Sequence, residues 1–384
     1  MPWDPAHPYD DLPPLPPRAE IETHAVLKAT VSARARLAQF AALAGTLPNP
    51  DILINVTSLL EAQASSEIEN IVTTTDELFA AAASTTGASA AAREALRYRV
   101  ALYAGWESVQ ARPLTVNTAV SVCAAIRGHE QGVRHDAVYI GDPVTRHRAY
   151  TPPEKPEVIQ ALLGNWEWFV NEPTDLDPLV RMAVAHYQFE AIHPFTDGNG
   201  RTGRILNILL LCSEGVLTDP VLYLSQYIIE TKEEYYRLLR SVTSDEAWEG
   251  WILYVVRSVE ATAERGLRLR HAVAGAQERL TAEVSATTGV ANHDLVNVLT
   301  EQPYARIRDV IARCGVSRPT AAKWLHALAD RQALRQVRIG REALFVNLPL
   351  MTALHSSGQA RGGVGSGVRS PMTRADAEAP PVCE

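Results

Sequence analysis

Residues 193–204 read HPFTDGNGRTGR and form a polar loop between two apolar segments. Apolar residues recur at helical spacing before the loop, over Pro178–Ile192, and after it, over residues 201–211, so the sequence predicts a helix on each side. Pro194 cannot continue the first helix, which places His193 at its end with the ring free to face a cleft. We therefore expect a mainly α-helical chain organised around this loop.

Three consecutive residues of the loop, Gly198, Asn199 and Gly200, tolerate positive φ. Backbone N–H groups can converge at such a turn into a nest that binds an anion. The positive end of the following helix dipole points at the same anion. A GNG run alone is usually only a turn, so its meaning depends on the side chains around it.

Four side chains of the segment 193–204 are suited to binding a nucleoside triphosphate and to catalysis on it. His193 titrates near neutral pH and can accept a proton from an attacking hydroxyl. Asp197 is a hard oxygen ligand for a Mg2+ ion that shares phosphate oxygens. Arg201 and Arg204 share one face of a helix, and their guanidinium groups fit phosphate oxygens. A structural histidine and a surface pair between Arg201 and Asp197 are the alternatives, but the four residues together favour a nucleotide site.

The loop matches every defined position of HPFx[D/E]GNGRxxR, the signature of the Fic family, and the chain resembles that family. Fic proteins mostly act as nucleotidyltransferases that move AMP from ATP to a hydroxyl side chain of a protein, and this class of partner is implied here. The resemblance implies that His193 is the general base and that Asp197 holds Mg2+. It also implies a phosphate site in which Arg204 engages the γ-phosphate and the α- and β-phosphates are held by Gly198, Asn199, Gly200 and Arg201.

A second resemblance lies upstream, where residues 65–70 read SSEIEN. They fit the family's inhibitory pattern [S/T]xxxE[G/N], with Ser65, Glu69 and Asn70 at the defined positions. In relatives with this pattern before the core, the glutamate pairs with the second arginine of the signature, here Arg204, and keeps it from the γ-phosphate. Some relatives also use this glutamate to remove AMP. A serine that merely caps a helix is the alternative.

A third segment, residues 134–153, contains short β-prone pieces around Gly141, Asp142 and Pro143, which predicts a hairpin. Fic proteins have such a flap beside the active site, and a target segment is thought to add to its edge as an extra strand. An ordinary surface hairpin is the alternative.

We predict five regions. They are an N-terminal helical extension with the inhibitory helix (1–110), a Fic-type helical core with the hairpin flap (111–260), a linker helix (261–290), a winged helix-turn-helix (291–350) and a disordered tail (351–384). The resemblance further suggests a homodimer.

Residues 291–350, before the tail, differ from the rest of the chain in their secondary-structure pattern and their charge. Helix, turn and helix over residues 305–330, followed by a hairpin over 337–346, are typical of a winged helix. Between Pro303 and Asn347 nine basic and three acidic residues give a formal charge of +6, against −8 for the whole chain. Arg318 and Lys323 are therefore candidate DNA contacts. A protein-interaction module is the alternative, and a DNA-binding regulator with a nucleotide-sensing or toxin-like core is the competing function.

Composition sets the remaining limits. At 384 residues with 46% hydrophobic and 21% charged residues, the chain is typical of soluble globular proteins. No apolar run is long enough for a membrane span, and the acidic, proline-rich start does not resemble a secretory signal. Four scattered cysteines fit reduced thiols, so we expect a cytoplasmic protein.

Overall fold

In a computed structural model of the chain, the structure describes residues 3–47, 51–83, 88–142, 147–339 and 342–358. The fold is mostly helical, as predicted. The described helices are α1 (His24–Ala44), α2 (Asp51–Ile68), α3 (Thr75–Ala83), α4 (Ala90–Ala111), α5 (Val116–Arg127), α6 (Pro156–Asn171), α7 (Pro178–Ile192), α8 (Asn199–Ser213), α9 (Ser225–Glu230), α10 (Lys232–Asp245), α11 (Trp248–Thr288), α12 (His293–Glu301), α13 (Ile307–Cys314), α14 (Arg318–Asp330) and α15 (Leu348–Gly358).

Two small antiparallel sheets complete the described part. The strands are β1 (Ile140–Asp142), β2 (His147–Tyr150), β3 (Tyr304–Ala305), β4 (Leu334–Ile339) and β5 (Glu342–Asn347). β1 and β2 pair as the hairpin predicted near residue 141, although Pro143 of that prediction lies outside the described residues. The second sheet has the order β3-β5-β4.

The two helices predicted around the polar loop are α7 and α8, which lie at the centre of the main core. Every residue of α7 from Leu179 to Ile192 is buried. α8 starts at Asn199, two residues earlier than its apolar pattern suggests, because the loop glycine Gly198 adopts φ +90° and serves as its N-terminal cap position. The loop is therefore held between two helices that are packed on all sides.

Helix α11 joins the main core to a second, smaller one. It runs for 41 residues, so the predicted linker over 261–290 is not a separate element but the second half of this helix. Its apolar stripe continues without a proline, and Val259, Ala263 and Leu269 stay buried along it. A Cβ on Gly266 would lie 2.7 Å from the ring of Phe40, so the glycine allows α1 to pack directly against α11.

Residues 293–347 form the C-terminal module, built in the predicted order of helix, turn, helix and hairpin. The turn between α13 and α14 contains Gly315 at φ +64°, and Ser317 caps α14 by accepting from the N–H of Thr320. Strand β4 begins at Leu334, three residues before the predicted start. Gly340, around which the hairpin was predicted, lies outside the described residues.

The tail predicted to be disordered from residue 351 is helical up to Gly358, where α15 ends. Met351, Ala353 and Leu354 are buried and give this helix an apolar face. That burial offsets the entropy cost of ordering the segment. The prediction was wrong for residues 351–358, and residues 359–384 lie outside the described part.

The proline-rich leader packs beside the hairpin. The N–H of Tyr9 donates to the carbonyl of Thr151 at 3.0 Å, and the hydroxyl of Thr151 donates to the carbonyl of Pro5 at 2.6 Å. Leu12 and Leu15 are buried. The leader thus supports the chain that follows β2. No helix in the described part of the chain has the length and apolarity that crossing a membrane requires.

Candidate active site

His193 is the C-terminal cap residue of α7. It adopts the left-handed conformation, φ +50° and ψ +59°, and its N–H donates to the carbonyl of Phe189 at 3.0 Å. Pro194 follows and has no N–H with which to continue the helix. Left-handed backbone is uncommon outside glycine and often marks a functional constraint. Here it turns the chain away from the α7 axis at the residue that the sequence singles out as the base.

The loop is braced from inside by Asn199. Its side-chain oxygen accepts from the N–H of Phe195 at 2.8 Å, and its amide donates to the carbonyl of the same residue at 2.7 Å. Because its side chain is committed to the loop, Asn199 can offer an anion only its backbone. The first-turn N–H groups of α8 have no partner within the helix, which is the arrangement that favours anions at a helix N-terminus.

Arg134 braces the loop from outside, and no local sequence signal marked it. Its guanidinium donates to the carbonyls of His193 (2.8 Å), Ile192 (3.2 Å) and Pro153 (2.6 Å). The N–H of Arg134 also donates to the carbonyl of Pro194 at 2.9 Å. Arg134 is buried, so these bonds connect the end of α7 to the chain on both sides of the hairpin.

Asp197 lies at the open side of the loop, with 54% of its side chain exposed. It forms an ion pair with Arg127 of α5, and it lies 3.7 Å from Arg201. Among the described residues, no three histidine, cysteine or carboxylate side chains cluster as metal ligands. Mg2+ commonly takes only one or two protein carboxylates together with substrate phosphates, so a single exposed Asp197 fits the ion.

The pair between Arg201 and Asp197 forms at 3.7 Å, but Arg201 itself is buried, with 2% of its side chain exposed. Its main partner is Glu94 of α4, at 2.5 Å. The spacing of the loop could not reveal Glu94, which is more than a hundred residues away. The Nε atom of Arg201 has no hydrogen-bond partner within the described chain.

Arg204 points to the end of α2, where residues 65–70 lie. Its Nη2 atom donates to Glu69 at 2.9 Å and to the carbonyl of Ser65 at 2.9 Å. Its Nε atom donates to the hydroxyl of Ser65 at 2.8 Å. Burial raises the pKa of Glu69, but the charge and hydrogen bond of Arg204 outweigh it and lower that pKa below its ordinary value. Glu69 and Ser65 therefore occupy the guanidinium group that a phosphate would need.

Two local features allow the carboxylate of Glu69 to reach Arg204. Asn70 adopts φ +63° immediately after Glu69, a conformation that asparagine and glycine tolerate best. A Cβ on Gly200 would lie 2.6 Å from a carboxylate oxygen of Glu69 and 2.9 Å from Arg204. The glycine of the signature thus leaves room for the carboxylate at the start of α8.

A cavity of about 420 Å3 connects these groups. Its wall includes His193, Gly200, Arg204 and Glu69 on one side and the hairpin residues 140, 141, 149 and 150 on another. Tyr235 and Tyr236 of α10 also line the cavity. Asp197 does not line this cavity in the described arrangement but belongs to the same loop.

Besides Glu69, the pKa values of His193 and Glu190 at the cavity are shifted. Burial and then the charge of Arg134 lower the pKa of His193 to about 4, so its imidazole is neutral at pH 7. Burial raises the pKa of Glu190 to about 7. The candidate base is thus in its proton-accepting form at neutral pH.

Arg318 and Lys323 do not join this site. Both are exposed on α14 of the C-terminal module, and neither lines the cavity. They belong to a separate surface.

Three family models match the chain in order. Residues 27–107 match the Fic/DOC family N-terminal model, residues 119–211 match the Fic/DOC family model, and residues 278–350 match the C-terminal domain of SoFic-like protein adenylyltransferases. The last model includes the end of α11 and the C-terminal module.

Among curated proteins, the chain is 32% identical over 159 residues to protein adenylyltransferase fic-1 of Caenorhabditis briggsae, covering 40% of this chain and 29% of that protein. It is 34% identical over 134 residues to the fic-1 protein of Caenorhabditis elegans, covering 35% of this chain and 24% of that protein. The matches thus span less than a third of the length of these relatives.

Among solved structures, a Fic family protein from Desulfovibrio desulfuricans G20 is similar with a TM-score of 0.55 at 19% identity, covering 86% of this chain and 98% of that one. Fic-1 of C. elegans is similar with a TM-score of 0.50 at 22% identity, covering 63% and 72%. These likenesses concern the fold, and the ordered family models place the polar loop inside the family's central domain. This chain belongs to the Fic/DOC family.

Proposed function

We propose that the protein is a protein adenylyltransferase that moves AMP from ATP to a hydroxyl side chain of a target protein. The observation that carries the proposal is the single cavity bounded by His193, Gly200, Arg204 and the hairpin. It combines a neutral base, a helix N-terminus for phosphates and a flap beside them. The curated relatives named protein adenylyltransferases support the same activity.

In the proposed reaction, the imidazole of His193 accepts the proton of the target hydroxyl. The hydroxyl oxygen forms a bond to the α-phosphorus of ATP, the bond from that phosphorus to the bridging oxygen of the β-phosphate breaks, and pyrophosphate leaves. Catalysis of this kind depends on positioning and charge stabilisation. Arg134 is then a positioning residue, since it holds the backbone of His193.

The phosphates would be held at the start of α8. The backbone of Gly198, Asn199 and Gly200 and the unpartnered Nε of Arg201 would contact the α- and β-phosphates. Arg204 would bind the γ-phosphate after releasing Glu69. Asp197 would hold Mg2+, which neutralises phosphate charge when bound, and Arg127 would have to release the carboxylate first.

We propose further that Glu69 inhibits the enzyme. Its carboxylate and the γ-phosphate compete for the same guanidinium of Arg204. Glu69 also faces the cavity, where a carboxylate could orient a water that removes AMP from a modified target. That reverse activity stays a prediction.

The test uses ATP labelled at either end. Incubation of a Glu69→Gly variant with α-labelled ATP is expected to leave label on protein, while γ-labelled ATP leaves none. The reverse pattern would indicate phosphoryl transfer and overturn the proposal. Omitting Mg2+ from the same assay tests the ion, and label transfer that persists in a chelator would contradict the role of Asp197.

The low pKa of His193 gives a pH prediction. A base with a depressed pKa stays neutral as the pH falls, so the second-order rate constant for ATP should remain flat from about pH 8 to about pH 6 and fall only on approach to pH 4. An ordinary histidine would lose half its activity near pH 6.5. A Glu190→Gln control removes the neighbouring group with a pKa of about 7. Half-maximal activity near pH 6.5, both with and without the Glu190→Gln substitution, would contradict a base that is neutral at pH 7.

Binding of DNA by the C-terminal module stays a separate proposal, supported by exposed Arg318 and Lys323 on α14. Replacing both with alanine is expected to lower the slope of log affinity for duplex DNA against log salt by about two, because each cation neutralises about one phosphate. Replacing exposed Lys28 of α1 is the control. Absence of any mobility shift at low salt would favour the protein-interaction alternative. The homodimer and the cytoplasmic location also stay predictions.

A further inference from the structure

The C-terminal end of α2, which Glu69 follows directly, makes contacts with other residues besides Arg204. The last four carbonyl groups of a helix have no partner within it. Two of those of α2 are satisfied inside the turn that follows, where the carbonyl of Ser66 accepts from Ile71 at 3.0 Å and that of Glu67 accepts from Asn70 at 2.9 Å. The remaining two accept from cations on other elements.

Those two cations come from different helices. Arg204 of α8 donates to the carbonyl of Ser65 at 2.9 Å. Lys232, the first residue of α10, donates to the carbonyl of Ile68 at 2.7 Å. α2 has no basic residue in its own last turn, so the cation that its dipole favours there must come from elsewhere. Lys232 is partly buried, which lessens screening of its charge by water.

A buried carboxylate of α2 also binds the start of α9, the helix that precedes α10. Glu61 of α2 is fully buried and accepts from the N–H of Ser225 at 3.0 Å and from its hydroxyl at 2.5 Å. The hydroxyl of Tyr98 donates to it at 2.7 Å. Residues 225–232 thus contact α2 at two points, and α10 continues into Tyr235 and Tyr236 of the cavity wall.

We propose that Lys232 is a positioning residue for inhibition. By holding the carbonyl of Ile68, it fixes the residue next to Glu69 and keeps that carboxylate on Arg204. This inference rests on the proposed adenylyl transfer and on the inhibitory role of Glu69. In this proposal the end of α2 moves when ATP draws Arg204 away, so the Lys232 contact is lost together with those of Arg204 and stabilises the inhibited arrangement alone. Lys232 therefore favours the return of α2 to the inhibitory arrangement.

The test replaces Lys232 with methionine, which removes the charge and keeps the length of the side chain. Automodification by α-labelled ATP is expected to rise about tenfold, because a hydrogen bond from a charged donor is lost on the inhibited side. Lys232→Arg keeps a cation that reaches the carbonyl and should stay near the wild-type rate. An unchanged rate in Lys232→Met would overturn the inference.

A double variant separates positioning from simple support of the fold. In a Glu69→Gly background there is no carboxylate to position, so Lys232→Met should change the rate less than about twofold. A loss of activity in both backgrounds, or an equal rise in both, would overturn the inference.

A second readout does not depend on transfer. Amide hydrogen exchange over residues 66–71 should be faster in Lys232→Met than in wild type, and unchanged exchange would count against the inference. If Glu69→Gly takes up no α-label while exchange still responds to Lys232, the failure lies in the proposed function and not in the contact.

Discussion

A Glu69→Gly variant is expected to modify itself with AMP roughly 10- to 100-fold faster than the wild-type chain, the range given by one lost hydrogen bond between charged groups. In the wild-type chain the carboxylate lies 2.9 Å from Nη2 of Arg204. Among the described residues, its removal leaves the guanidinium with hydrogen bonds to Ser65, a neutral partner that a γ-phosphate can displace. Incorporation of α-labelled ATP over time measures the change.

The matched control for that variant is Glu67→Gly. Glu67 is exposed two residues earlier on the same helix end and does not line the cavity. The control introduces a glycine into the last turn of α2, where it costs the helix about 1 kcal/mol or less, without touching Arg204. Equal stimulation by both substitutions would mean that loosening α2, and not freeing Arg204, raises the rate.

Replacing His193 with alanine in the Glu69→Gly background is expected to reduce label transfer by about 10²- to 10⁴-fold, the usual contribution of a positioned general base. The imidazole lines the cavity and is neutral at pH 7. No other histidine lines that cavity among the described residues. Single-turnover labelling at saturating ATP measures the loss.

Binding of ATP should survive this substitution, because the phosphate contacts come from α8 and its arginines. Fluorescent-nucleotide titration of the His193→Ala protein checks this point. His135→Ala, at an exposed histidine close to the hairpin, is the control and should retain activity. Transfer that persists in His193→Ala would remove this residue from the role of base.

Much of the central site could be predicted because its residues are adjacent in sequence. One twelve-residue segment, a loop and the first turns of α8, carries His193, Asp197 and Arg204, and the end of a helix and a proline fix how it starts. The small β1–β2 hairpin was also predictable from its local composition. Local spacing is informative when the groups that act together lie within one or two turns of chain.

The residues that brace the site could not be predicted in this way. Glu94, Arg127, Arg134 and Lys232 reach the loop or α2 from separate helices and from the chain before the hairpin. Each is an ordinary charged residue in its own segment. Only the packing of α4, α5 and α10 around α7 and α8 shows which charges become buried and paired.

The two errors in the domain boundaries have a simple physical origin. Residue 260 lies within an apolar stripe that continues along α11 with no capping residue, so the helix does not end there. The start of the tail at 351 overlooked Met351 and Leu354, two apolar residues at helical spacing that pack as α15. Composition averaged over a long tail concealed this short amphipathic segment.

The central claim is that Glu69 and the γ-phosphate of ATP compete for one guanidinium, that of Arg204. A crystal structure of the Glu69→Gly variant with ATP and Mg2+ tests it most directly. We expect a γ-phosphate oxygen within hydrogen-bonding distance of Arg204 and the α-phosphorus facing the imidazole of His193. A γ-phosphate bound away from Arg204, with that side chain still donating to Ser65, would contradict the account.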